Sequence, residues 1–106
     1  MTCTYCITSR IANKMAGGKS YDDRRLALIE NLRSENMGYW EETTSFFLVE
    51  SDADTYSFAK MATKGLSVDD DLIIVFDPQD MNAAYFGPLK QQDELASFFR
   101  SLKKLP

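Results

Sequence analysis

The chain contains no histidine. That absence excludes Ser-His-Asp and Cys-His nucleophiles, His-ligated zinc and imidazole general bases together, so any catalysis would fall to carboxylates, lysine, tyrosine or cysteine. Proline is scarce at three residues and glycine at five, which rules out collagen-like and low-complexity classes. No apolar run approaches the roughly 18 residues of a membrane-spanning helix, and the N-terminus lacks a basic-then-apolar signal. The expectation is a cytoplasmic protein with no membrane partner. Cysteine is limited to Cys3 and Cys6. In an extended segment residues three apart point to opposite faces, so this Cys-x-x-Cys pair can neither bridge nor share a metal, and two reduced, packed thiols are expected.

What is present fits one domain, residues 1–106, with 44% apolar and 26% charged residues. The formal net charge is −4, unevenly spread: residues 1–35 hold six Lys/Arg against four Asp/Glu, and residues 36–106 hold six against twelve. An acidic total opposes bulk electrostatic capture of nucleic acid, because each phosphate contact wants its own cation. The basic first third nevertheless offers Arg10, Lys14, Lys19, Arg24 and Arg25 as one local edge that could contact phosphates.

The organising stretch is Asp71-Leu72-Ile73-Ile74-Val75-Phe76-Asp77, an apolar run between carboxylates that stops at Pro78. It reads as a central strand buried on both faces. Thr2 to Thr8 alternates with period two and reads as another strand. Ser20 with Asp23 is a capping pair that opens a helix whose Tyr21, Leu28, Ile29 and Leu32 share a face, ending near Asn36 and Gly38. Tyr39–Glu42 and Ser45–Glu50 read as a hairpin turning near Thr43-Thr44, with Trp40 expected against a helix in the core, the alternative being a subunit contact. Ser51 or Asp52 should cap a second helix carrying Thr55, Phe58, Met61 and Ala62 on one side. Ala83 to Gly87 is expected as a short edge strand. A last helix should bury Leu95, Phe98, Phe99 and Leu102, with Asp93 and Glu94 in its first turn and Lys103-Lys104 in its last.

Two motifs approach known chemistry. Asn13-x-x-x-x-Gly18-Lys19-Ser20 between a strand and a helix is similar to a phosphate-binding loop, but Asn13 stands where that loop has its first glycine. A helix start with Lys19 could still hold an anion, against the plainer reading of a glycine loop with solvated charges. Asp69-Asp70-Asp71 lacks the spacing of a calcium loop, and reads as a charge run bounding the strand.

The order is therefore strand, helix, hairpin, helix, central strand, short strand, helix. That predicts an α+β fold: a ferredoxin-like βαββαβ sandwich with an antiparallel sheet and a C-terminal helix. Tyr5-Cys6-Ile7-Thr8-Ser9-Arg10-Ile11, Tyr21–Leu32, Trp40–Val49 and Asp71–Val75 resemble the small CRISPR-associated ferredoxin-fold nucleases and their VapD-type toxin relatives. The resemblance implies a homodimer and a Mg²⁺- or Mn²⁺-dependent phosphodiesterase built on an Asp at the end of the first strand. Arg10 occupies that Asp position here, and arginine cannot ligate a cation. The expectation that follows is a catalytically degenerate, dimeric binding or assembly module with no catalytic residue, no metal ligand and no cofactor. Nucleic-acid phosphates, RNA or DNA, would be contacted through Arg10, Lys14, Lys19, Arg24 and Arg25. The alternatives are a metal-dependent endoribonuclease or toxin with ligands such as Asp77 or Asp80, and a protein-interaction module with no nucleic-acid role.

Overall fold

The computed structural model describes residues 2–106. Alternation in the first segment produces β1 (Cys3–Arg10), and the Ser20 capping pair opens α1 (Tyr21–Arg33). Both halves of that capping box form: Asp23 N–H donates to Ser20 Oγ and Ser20 N–H to the Asp23 carboxylate. These bonds hold the Asp23 carboxyl below its usual range. Asn36, at φ 55°, turns the chain out of the helix region. The hairpin follows as β2 (Tyr39–Trp40) and β3 (Phe46–Ser51), and then α2 (Thr55–Ala62). Asp54, not Ser51 or Asp52, caps α2, accepting from Ser57 N–H. β4 (Leu72–Phe76), β5 (Asn82–Phe86), α3 (Gln92–Phe98) and β6 (Ser101–Lys104) complete the chain.

The architecture is α+β, with three helices and a six-stranded mixed sheet in the order β2-β3-β1-β4-β5-β6. The β3, β1, β4 and β5 neighbours pair antiparallel, as β2 does with β3, but β5 and β6 pair parallel. The all-antiparallel expectation is thus corrected. Its cause lies at the C-terminus, where the expected long helix is two elements. The α3 helix stops at Phe98, Phe99 takes extended angles, and Ser101–Lys104 then pairs with Asn82–Tyr85. A strand there satisfies the backbone groups of β5 that an edge would leave open, which outweighs the helical spacing of Phe99 and Leu102. β5 is therefore interior to the sheet, and Phe98 projects from α3 at 70% exposure.

Register decides what each face carries. Tyr5, Ile7, Phe47, Val49, Ile73, Val75, Ala84 and Phe86 point to one face, where Leu28 and Leu32 of α1 and Phe58, Ala59 and Ala62 of α2 close over them. Tyr5 stacks on Phe58 with ring centroids 4.5 Å apart. The organising strand buries Ile73 and Val75 there, whereas Leu72, Ile74 and Phe76 on the opposite face are only half-buried. The expectation of burial on both faces is corrected, because both long helices lie on one side. Trp40 is corrected for the same geometric reason. In a two-residue strand Tyr39 takes the core side, leaving Trp40 on the other at 42% exposure.

Candidate functional site

The loop that approaches a phosphate-binding loop in sequence does the reverse in space. Arg24 extends from the first turn of α1 into the loop between β1 and α1 and is buried, at 1% exposure. Its Nη1 donates to the carbonyls of Lys14 and Lys19, and its Nη2 to the carbonyl of Ala12. Nε and Nη2 also donate to Asp71, at 2.8 and 3.3 Å. The loop thus turns carbonyl oxygens inward around a guanidinium, whereas a phosphate loop turns N–H groups inward around an anion. Asp71 is fully buried and accepts two further bonds, from the N–H groups of Ala12 and Ser67, both at 2.9 Å. Every guanidinium donor and both carboxylate oxygens are engaged, which is the condition for a buried ion pair to be tolerated. This knot ties the β1–α1 loop, α1, the segment after α2 and the start of β4. Gly87, at φ +100°, lies so close behind it that a Cβ there would strike the Asp71 carbonyl oxygen.

The five cations expected to form one basic edge therefore separate. Arg24 is structural and has no donor left for a phosphate. Lys14 pairs with Asp70 at 2.9 Å, which holds that carboxyl below its usual range. Arg25 pairs with Glu41 at 3.2 Å and donates to the Thr44 carbonyl, fastening α1 to the hairpin turn. Arg10 and Lys19 make no ion pair among the described residues, but Arg10 ends β1 on the sheet face opposite α1 and α2, while Lys19 lies by Gly65. Asp77 accepts from Gln79 N–H, and Asp80 from the backbone and side-chain amides of Asn82, so both carboxylates shape the β4–β5 turn. No cluster of three or more acidic or cysteine side chains that could hold a metal occurs among the described residues. Cys3 and Cys6 are free thiols on opposite faces of β1; burial pushes the Cys6 thiol up.

The most distinctive surface is the sheet face turned away from α1 and α2. Cross-strand partners align there in an unbroken apolar row: Trp40, Leu48, Cys6, Phe76, Ala83 and Leu102. Phe46, Thr8, Ile74, Tyr85 and Lys104 form the next row. At the β4–β6 end Phe99 covers the face by packing on Phe76, centroids 5.1 Å apart. At the β2–β3–β1 end Trp40 and Thr8 are exposed and Phe46, Leu48 and Ile74 are partly exposed. No family model, curated protein or solved structure matches the chain. Its chemistry must be read from this geometry alone.

Sequence periodicity could have found this face, since Phe46, Leu48 and Ile74 alternate out of phase with the buried set. Arg24 also had a signal: it precedes Leu28 and Leu32 at intervals of four, on the buried stripe of α1.

Proposed function

We propose that the chain is an assembly module that pairs with a second copy of itself through the open end of the sheet face, and that it does no phosphodiester chemistry. The observation that carries this reading is the apolar, charge-free patch of Trp40, Phe46, Leu48 and Ile74. A sheet face this apolar, left without a covering helix, marks an interaction surface. The patch spans four strands at about 4.8 Å and two residue rows at about 6.8 Å, hence about 260 Å² in projection. That is well below the low end of specific interfaces, about 600 Å² per partner, so the dimer should be weak and dissociable. A second copy is the favoured occupant because a flat apolar face is complementary to itself about a two-fold axis.

We also propose that β2-β3-β1-β4 with α1 and α2 is a ferredoxin-like βαββαβ unit carrying a β5-α3-β6 extension. The order and antiparallel pairing of those four strands support this. On that reading the resemblance to the small CRISPR-associated nucleases and VapD-type toxins is one of scaffold, with Arg10 in the position of the family's metal-binding Asp.

The test uses Trp40, the single tryptophan, as a reporter on the proposed interface. Emission should shift to longer wavelength on serial dilution, as Trp40 returns to water. A spectrum independent of concentration across the range in which the protein remains folded would end the dimer reading.

A further inference from the structure

Beyond self-association, the end of β1 carries a second feature. A cavity of about 280 Å³ is lined by Arg10, Leu72, Pro88, Leu89, Lys90 and Gln91. Its apolar lining is Leu72, Pro88 and Leu89, and its polar side chains are a guanidinium, an ammonium and an amide. No carboxylate lines it, although the chain holds 16 acidic residues against 12 basic ones. Arg10 and Lys90 are both exposed and make no ion pair or side-chain hydrogen bond among the described residues. Two unpartnered cations lining one cavity repel each other, and a bound anion relieves that repulsion.

We propose that this cavity binds a terminal phosphate monoester joined to a flat or apolar group. Arg10 offers the planar fork that suits a phosphate bidentately, and Lys90 offers a second positive charge. A monoester carries about −1.5 to −2 at neutral pH, matching two cations, whereas an internal phosphodiester carries a single charge. The volume lies at the lower limit of small-ligand pockets, about 300 Å³, which accommodates one phosphate and a ring and no polymer. Leu72, Pro88 and Leu89 would pack against the ring. This chemistry occurs in a free mononucleotide and in the 5′-phosphorylated end of a nucleic-acid strand.

The test is calorimetric titration of the purified protein with adenosine 5′-monophosphate, cyclic 3′,5′-AMP, adenosine, inorganic phosphate and short single strands with and without a 5′-phosphate. Adenosine 5′-monophosphate should saturate, and cyclic AMP and adenosine should bind at least about tenfold more weakly. Arg10→Gln and Lys90→Gln should each weaken binding by about tenfold or more, while Lys60→Gln leaves it unchanged. Stronger binding by the phosphorylated strand would assign the strand end as the source, and equal or weaker binding the free mononucleotide. Circular dichroism of both variants should match the parent, since Arg10 and Lys90 are exposed. Absence of saturation by every phosphate monoester, or saturation indifferent to both substitutions, overturns the proposal. Ile74→Lys, which lies outside the cavity, should keep this binding even where it abolishes dimers, so failure of one reading is distinguishable from failure of the other.

Discussion

Replacing Arg24 or Asp71 should be among the most damaging single changes this chain can suffer. Arg24→Ala removes the partner of a fully buried carboxylate, leaves the Lys14 carbonyl without its side-chain donor and takes one of two donors from the carbonyls of Ala12 and Lys19. Asp71→Ala leaves a buried guanidinium and the N–H groups of Ala12 and Ser67 unpaired. Breaking a buried pair from one side costs about 3–5 kcal/mol, against a total of about 5–15 kcal/mol for an ordinary domain. With a urea slope of about 1–3 kcal/mol per molar, either variant should lower the unfolding midpoint by about 2 M. The double variant Arg24→Ala/Asp71→Ala should lose less than the sum of the singles, because the second truncation removes the charge that the first stranded. Urea titration followed by circular dichroism on all four proteins gives the cycle. Single variants within about 1 kcal/mol of the parent, or strict additivity, would refute the description of a closed and fully satisfied knot.

Other outcomes follow from particular residues. Gly87→Ala combines a left-handed φ with a strike on the Asp71 carbonyl, and should lower stability by about 2 kcal/mol or more in thermal melts. The Tyr39 hydroxyl is buried with no partner among the described residues, so Tyr39→Phe should leave stability unchanged or raise it by up to about 1 kcal/mol. Burial pushes the Tyr5 phenol up from 10.0 to about 12. Its contribution is complete below the unfolded value and is lost as pH rises toward the folded one, so stability should fall by about 3 kcal/mol between roughly pH 10 and 12. Tyr5→Phe should flatten that decline in alkaline urea titrations.

Much of the frame was legible because local signals agreed with tertiary needs. Strong period-two alternation marked β1, the Ser20–Asp23 box marked the start of α1, and the apolar run marked β4. The C-terminus was not legible, because Phe99 and Leu102 satisfy helical spacing locally while β5 needs a strand for its free backbone groups. Trp40 misled for a related reason: its size argued for burial, but strand parity, set by Tyr39, decided its side. Among the candidate site residues, charge alone could not separate roles. Arg10, Lys14, Lys19, Arg24 and Arg25 look alike as a basic edge in sequence. Only three-dimensional partners distinguish a buried strut in Arg24, surface pairs in Lys14 and Arg25, and unpaired cations in Arg10 and Lys19. The same holds for Asp71, whose burial follows from its contact with a residue 47 positions earlier.

The central claim is that the face carrying Trp40, Phe46, Leu48 and Ile74 is where two copies of the chain meet. Sedimentation equilibrium of the parent protein and of Ile74→Lys tests it most directly, with circular dichroism to verify that the variant is folded. The parent should show a reversible monomer–dimer equilibrium, and the variant should sediment as a monomer at every concentration. A monomeric parent, or a folded variant that dimerises as well as the parent, would contradict the account.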